Sequence, residues 1–221
     1  MMDKGKLFLE SIKNFSGEKG PQLVLRVIGF EQFFLRPIPT RFDLVSERDV
    51  CILTDWRNSY PKSFLTEFHA DNVRTATWLS ELVHKDAGRI LFMLENKVME
   101  PMGYMGIAYI DWQQSYFEAD AIVSGGFTPK GLMYASLITL ILWAKAQLGL
   151  HNAGVRVLSD NPAITFYQQA GFVEIRRVPL RREVHAQGIS WVEDGQLNDY
   201  DRELVHHIWR PSQQLLSKFL I

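Results

Sequence analysis

The stretch Thr128-Pro129-Lys130-Gly131 stands directly before the apolar run GLMYASLITLILWAKAQLGL. If that run is a helix, its first backbone N–H groups lack intrahelical partners and carry a positive partial charge, which makes residues 130–133 a seat for a phosphate group. Lys130 adds a cationic side chain, Gly131 permits close backbone approach, and Leu132 and Met133 offer backbone N–H groups. The plainer reading is a polar turn feeding a core helix. The phosphate loop of nucleotide hydrolases fits less well, because Gly126 and Gly131 are correctly spaced but Leu132 replaces the lysine that such a loop requires.

Two carboxylates precede this loop. Glu118 and Asp120 alternate in YFEADAIVS, so on a strand they share one sheet face, where either serves as a general base, directly or through water, or is simply solvated. Glu118 is the first choice by position. After the loop, Asn161 and Pro162 suit the start of a short helix and Gly171 suits its end. Tyr167 lies on that helix beside Phe166, as a chemical or a packing residue. Arg176, Arg177, Arg181 and Arg182 are close enough to fork onto a nucleotide diphosphate if they share a face, and are otherwise solvated. His206 and His207 point to opposite faces of a strand and do not form one metal site; His69 and His84 have no partner that the sequence identifies, and no metal is expected.

These residues need a scaffold, and the hydrophobic periodicity supplies one. An amphipathic helix at the N-terminus is followed by two short strands, 22–28 and 33–38. Ser46 and Asp49 open a helix running to about Asn58, and a second helix over 71–85 shows Val73, Ala76, Leu82 and Val83 at helical spacing. Runs 89–95, 102–111 and 116–124 form a three-strand antiparallel meander. The long helix after Gly131 is apolar on nearly every face and is therefore covered on more than one side. Strand 155–158, the short helix and strand 172–178 follow, with further strands within 183–193 and 202–209. The sum is an α/β (α+β) fold with a mixed, mostly antiparallel central sheet flanked by helices. Residues 1–32 form an N-terminal extension, 33–178 the core, and 179–221 the strands and tail that complete the same domain.

Composition narrows the function. The chain has 221 residues, 47% hydrophobic and 22% charged, which suits one large domain with a sizeable core rather than two independent ones. A net charge of -1 cannot supply the broad positive field of nonspecific nucleic-acid binding. The single Cys51 excludes an intrachain disulfide. Glu10 and Lys13 interrupt any signal-peptide-like run, and the uncharged run between Lys130 and Lys145 is shorter than the roughly 20 residues a bilayer requires, so a soluble, cytoplasmic protein is expected.

The order of the elements, with TPKGLM at 128–133 and NPAITFYQQAGF at 161–172, resembles the GNAT family of N-acetyltransferases over roughly residues 33–178. Lys130 and Gly131 fit that family's acetyl-CoA loop, whereas Thr128 stands where Arg or Gln is usual and Met133 where Gly or Ala is usual. The resemblance implies a sheet splayed where CoA enters and acetyl-CoA as cosubstrate. It puts Lys130, Gly131, Leu132 and Met133 on the pyrophosphate, the backbone of Ala121, Ile122 and Val123 on the pantetheine amides and thioester oxygen, and Asn161 on the pantetheine arm. Tyr167 is the implied proton donor to the departing thiolate, with Glu118, Asp120 or water as base. With no cysteine in either motif, the amine is expected to attack directly.

Trp56-Arg57-Asn58 and the end beyond 178 resemble the sugar-modifying and ribosomal-protein-modifying branches of the family, and SDNPAITFYQQAGF followed by IRRVPLRREV and a late SWVE looks most like acetyltransferases of surface-polysaccharide and amino-sugar biosynthesis. A small-molecule amine, specifically a nucleotide-linked amino sugar, is the expected acceptor, with a protein N-terminus or lysine as the alternative. A non-catalytic CoA-binding module is the reading of another class. A homodimer is compatible with the sequence.

Overall fold

The computed structural model describes residues 2–18 and 23–219; Gln22, where the first expected strand begins, lies outside them. In chain order the strands are β1 (Leu25–Arg26), β2 (Phe33–Pro37), β3 (Thr66–Glu67), β4 (Ile90–Asn96), β5 (Pro101–Asp111), β6 (Tyr116–Ser124), β7 (Asn152–Leu158), β8 (Phe172–His185), β9 (Gly188–Glu193) and β10 (Arg202–Trp209). They make one sheet in the order β1-β2-β4-β5-β6-β7-β10-β8-β9-β3, and among the described residues only the β6–β7 pair is parallel. The helices are α1 (Met2–Phe15), α2 (Glu47–Ser59), α3 (Asn72–Thr77), α4 (Leu132–Trp143), α5 (Ala163–Gln169) and α6 (Gln213–Leu216). The mixed, mostly antiparallel sheet flanked by helices is the architecture expected from the sequence, meander included.

The parallel pair is short. β6 and β7 pair only at Tyr116–Asn152, Phe117–Ala153 and Glu118–Gly154; β6 then runs on to Ser124 with β5 while β7 stays with β10 through Leu158. The sheet therefore splits after Glu118. Gly154 sits at the fork because a Cβ there would lie 2.1 Å from the Tyr116 hydroxyl.

Each face carries its own core. Phe117, Ala119, Val155 and Val157 pack with α4 and Tyr167 on one side. Tyr104 and Val123 pack with Val50 and Leu53 of α2 and with Leu79 and Val83 on the other. Phe92 and Phe117 are fully buried, each contributing about 1.5–3 kcal/mol of transfer free energy. Ser46 caps α2 by accepting the Asp49 N–H, and the Arg36 guanidinium joins Asp49 (3.0 Å) to Glu95 (2.9 Å), fixing α2 against β2 and β4.

Two local expectations change. α3 passes into a π-helix at Trp78–Val83, and the wider turn moves the buried face to Thr75, Leu79, Ser80 and Val83. Val73 and Leu82, placed by regular helical spacing on that face, are instead exposed. β8 runs unbroken through Pro179, because β9 begins pairing only at Leu180 and no ladder bond on that side needs the missing N–H.

Residues after 178 wall the α2/α3 side. β9 pairs with β3, the Trp191 indole N–H donates to Glu67 (2.6 Å), and Arg202 bridges Glu67 (2.8 Å) and Asp160 (2.7 Å).

Candidate active site

The loop before α4 turns into the helix at Gly131, as its sequence suggests. Gly131 takes the left-handed conformation (φ +85°) and starts α4. The Leu132 N–H donates to the Pro129 carbonyl (3.0 Å) and that of Ala135 to Gly131 (2.9 Å), while the N–H groups of Gly131, Met133 and Tyr134 have no acceptor among the described residues. Three donors and the helix dipole thus face outward beside the exposed Lys130. Leu132 supports this geometry from within, its side chain buried in the core. Met133 is not an obstruction, since its sulfur turns toward Gly103, 3.0 Å from where a Cβ would stand. Thr128 clamps the loop: its hydroxyl donates to the Met102 carbonyl (2.9 Å) and shares a hydrogen bond with Ser124 (2.9 Å).

Beside the split, β6 bulges. Asp120 pairs with Gly106 but Val123 pairs with Tyr104, so β6 carries one extra residue, and Ala121 sits at φ +50°. Ile122 packs toward the α4 core and Val123 toward α2. Past Glu118 the β6 backbone facing β7 has no strand partner, which leaves it free to pair with an extended, amide-bearing chain such as pantetheine. Asn161 opens α5 by accepting the Ala163 N–H (2.9 Å), and its amide donates to the Ser63 carbonyl (3.5 Å).

Tyr167 reaches the split from the α4 side. Its ring meets Phe166 and Phe172 edge-on at 5.3 and 5.9 Å. The hydroxyl has no partner among the described residues, yet it is not one of the atoms sealed from solvent. Burial, reinforced by the charge of Asp120, raises its pKa and keeps it protonated. Asp120 lies on the opposite side of the sheet, recessed with 32% of its side chain accessible and Arg89 at 3.8 Å. Burial pushes its carboxyl up, against the pull of Arg89.

Glu118 is placed differently. Its carboxylate accepts from Arg156 Nε (2.6 Å) on one oxygen and from the Tyr116 hydroxyl (3.1 Å) on the other. The two carboxylates share a face as their alternation requires, but Glu118 is engaged by Arg156 and Tyr116, whereas Asp120 lies just past the last β6–β7 pair with Arg89 at 3.8 Å.

The remaining sequence candidates do not converge. Arg177 pairs with Glu174 (2.8 Å) and Glu203 (3.3 Å), Arg181 with Asp194 (3.2 Å) and Glu183, and Arg176 with Glu193 (3.8 Å), while Arg182 is exposed. His206 meets Glu193 (3.1 Å), and His207 is buried with neither ring nitrogen hydrogen-bonded. His84 meets Thr40 (3.1 Å), and His69 lines an open cleft of about 680 Å³ between α2 and α3, away from the split. Among the described residues, no three His, Cys, Asp or Glu side chains gather to hold a metal ion. Arg156 and Thr128 were not singled out as working parts by sequence. A lone arginine inside the buried run VRVL is the signal that a carboxylate must lie opposite.

The acetyltransferase (GNAT) family profile matches residues 52–172, more than half of the chain. The chain belongs to the GNAT acetyltransferase family. As a GNAT protein it is an acetyl-CoA-dependent N-acetyltransferase. Among solved structures, the spermidine N-acetyltransferase of Vibrio cholerae in complex with CoA and spermine aligns with a TM-score of 0.61 at 16% identity, covering 80% of this chain and 94% of that one. A probable GNAT acetyltransferase from Chromobacterium violaceum aligns with a TM-score of 0.62 at 17% identity, covering 87% and 88%. A dodecameric structure of the Vibrio cholerae enzyme aligns with a TM-score of 0.57 at 16% identity, covering 80% and 92%. At these identities the likeness is one of fold. No curated protein matches the chain in sequence. No described helix of this GNAT chain is long and apolar enough to cross a membrane.

Proposed function

We propose that this protein transfers the acetyl group of acetyl-CoA to a primary amine of a small molecule, with Asp120 as the base and Tyr167 as the acid. The observation that carries this reading is the pair itself: a carboxyl group and a phenol, each shifted upward by burial, stand on opposite faces of the sheet beside the split that follows Glu118. In this reading Lys130, Gly131 and Met133 hold the pyrophosphate, with the Tyr134 N–H as an additional donor and Leu132 bracing the turn. The backbone from Ala121 through Ile122 to Val123 pairs with the pantetheine arm, and Asn161 borders it.

The chemistry then follows. The amine lone pair attacks the thioester carbon, and the nitrogen's proton passes to Asp120, whose raised pKa brings it closer to neutral pH and makes it a stronger base. Free β6 N–H groups stabilise the oxyanion. The C–S bond breaks, and the sulfur takes the Tyr167 proton.

A small acceptor is favoured because the sheet edge beyond β9 is β3, only two residues long and too short to pair with an extended peptide. The narrower expectation of a nucleotide-linked amino sugar gains nothing from the four arginines, since Arg176, Arg177 and Arg181 meet carboxylates of their own chain. The spermine held by the Vibrio cholerae neighbour favours an unadorned amine. The test is acetyl-CoA turnover across amino sugars, sugar nucleotides, polyamines and peptides. Turnover confined to peptides removes the small-molecule reading. CoA binding with no turnover of any amine leaves only a binding module.

A further inference from the structure

Tyr104 is the second tyrosine whose environment includes Asp120. It stands on β5 opposite Val123, across the bulge, and is only 3% exposed, with Trp56 of α2 stacked on its ring at 6.2 Å. Asp120 pairs with Gly106, two residues along β5, so both side chains rise side by side from the α2/α3 face. A buried phenol ordinarily finds a hydrogen-bond partner. The Tyr104 hydroxyl has none among the described residues, and it is not one of the atoms sealed from solvent. Arg57 is nearby, its guanidinium stacked on Phe64 (4.0 Å) and Phe68 (4.3 Å) and donating through Nη2 to the Thr66 carbonyl (2.5 Å), while its buried Nη1 has no partner among the described residues and makes no hydrogen bond to the Tyr104 hydroxyl. Burial, opposed by Arg57 and reinforced by Asp120, raises the Tyr104 pKa and keeps the hydroxyl neutral.

We propose that the Tyr104 hydroxyl oxygen accepts one N–H of the acceptor amine while Asp120 faces the other, so that the lone pair points at the thioester carbon in the split. This rests on the reading of Asp120 given above and adds a rule of specificity. The acceptor nitrogen needs two N–H groups, so a secondary amine loses one of the two contacts.

The test is Tyr104→Phe, which keeps the ring against Trp56 and removes only the unpartnered oxygen. The probes are spermidine and glucosamine, each compared with its N-methylated form. The expected result is an unchanged melting temperature and CoA affinity, an acceptor KM raised roughly 3- to 10-fold, and a smaller preference for the primary over the N-methylated amine. An unchanged KM with the same preference overturns the assignment of Tyr104 alone. Weakened CoA affinity overturns it too, by moving Tyr104 to the cosubstrate side. Failure of the wild type to acetylate any amine overturns the reading of the site and this inference with it.

Discussion

Replacing Glu118 and Asp120 separately, each by its amide, should divide structure from chemistry. The Glu118–Arg156 contact is short (2.6 Å) and its side chains are only 12% and 19% exposed. Removing one partner of such a pair costs about 3–5 kcal/mol, because the other charge stays buried. Arg156 keeps Glu193 at 3.4 Å and the Tyr109 ring at 4.2 Å, so the lower end, about 3 kcal/mol, applies. In a chain of this size that lowers the melting temperature by about 6–12 °C. The kcat of the folded Glu118→Gln protein should stay within a few-fold of wild type. Asp120→Asn should do the opposite. Burial raises the Asp120 pKa in the folded state, so its stabilising contribution is present below the ordinary carboxylate range and lost as pH rises through the folded value. At neutral pH the charged form is a burden, and the amide should melt no lower than wild type. Its kcat should fall by about 10²–10⁴-fold. Thermal melts and release of the CoA thiol read both effects. A large rate loss in Glu118→Gln with full rate in Asp120→Asn would refute the assignment.

Other consequences are equally direct. Because the base must be ionised and its pKa is raised, kcat/KM should climb with pH along an acid limb lying above the ordinary carboxylate range, and Asp120→Asn should abolish that limb in a pH–rate profile. In Gly131→Val, the new Cβ finds room, with Phe30 at 3.7 Å, but the φ of +85° is strained for a β-branched residue by about 1–2 kcal/mol. Calorimetry should show CoA affinity reduced at least ~10-fold in a folded Gly131→Val protein, and unchanged affinity would remove the loop from the site. Tyr167→Phe should lose at least ~10-fold in kcat with little change in melting temperature, since the hydroxyl has no partner to abandon; full kcat would reject the proton-donor role.

What was legible in the sequence was the local part. Alternation located the meander within a residue or two, and the Thr128–Gly131 punctuation placed the start of α4 where the free donors stand. Strand parity put Glu118 and Asp120 on one face. Choosing between them required Arg156, which lies 38 residues away in the chain and meets Glu118 only through the parallel pairing. Val73 and Leu82 were misplaced because a π-helical turn changes the spacing on which helical periodicity depends. Pro179 reads as a strand end until it is seen that the ladder on its N–H side has not yet begun. Tyr104 carries no signal in its own neighbourhood, since its unpartnered hydroxyl matters only beside Asp120.

The central claim is that the split in the sheet brings acetyl-CoA and a small amine together between Tyr167 and Asp120. It is tested most directly by following one reaction mixture for both products, free CoA and N-acetylated amine. Wild-type protein should form the two one-for-one, and Asp120→Asn and Tyr167→Phe should slow both together while still binding CoA. Release of CoA without an acetylated amine, or equal rates in all three proteins, would contradict it.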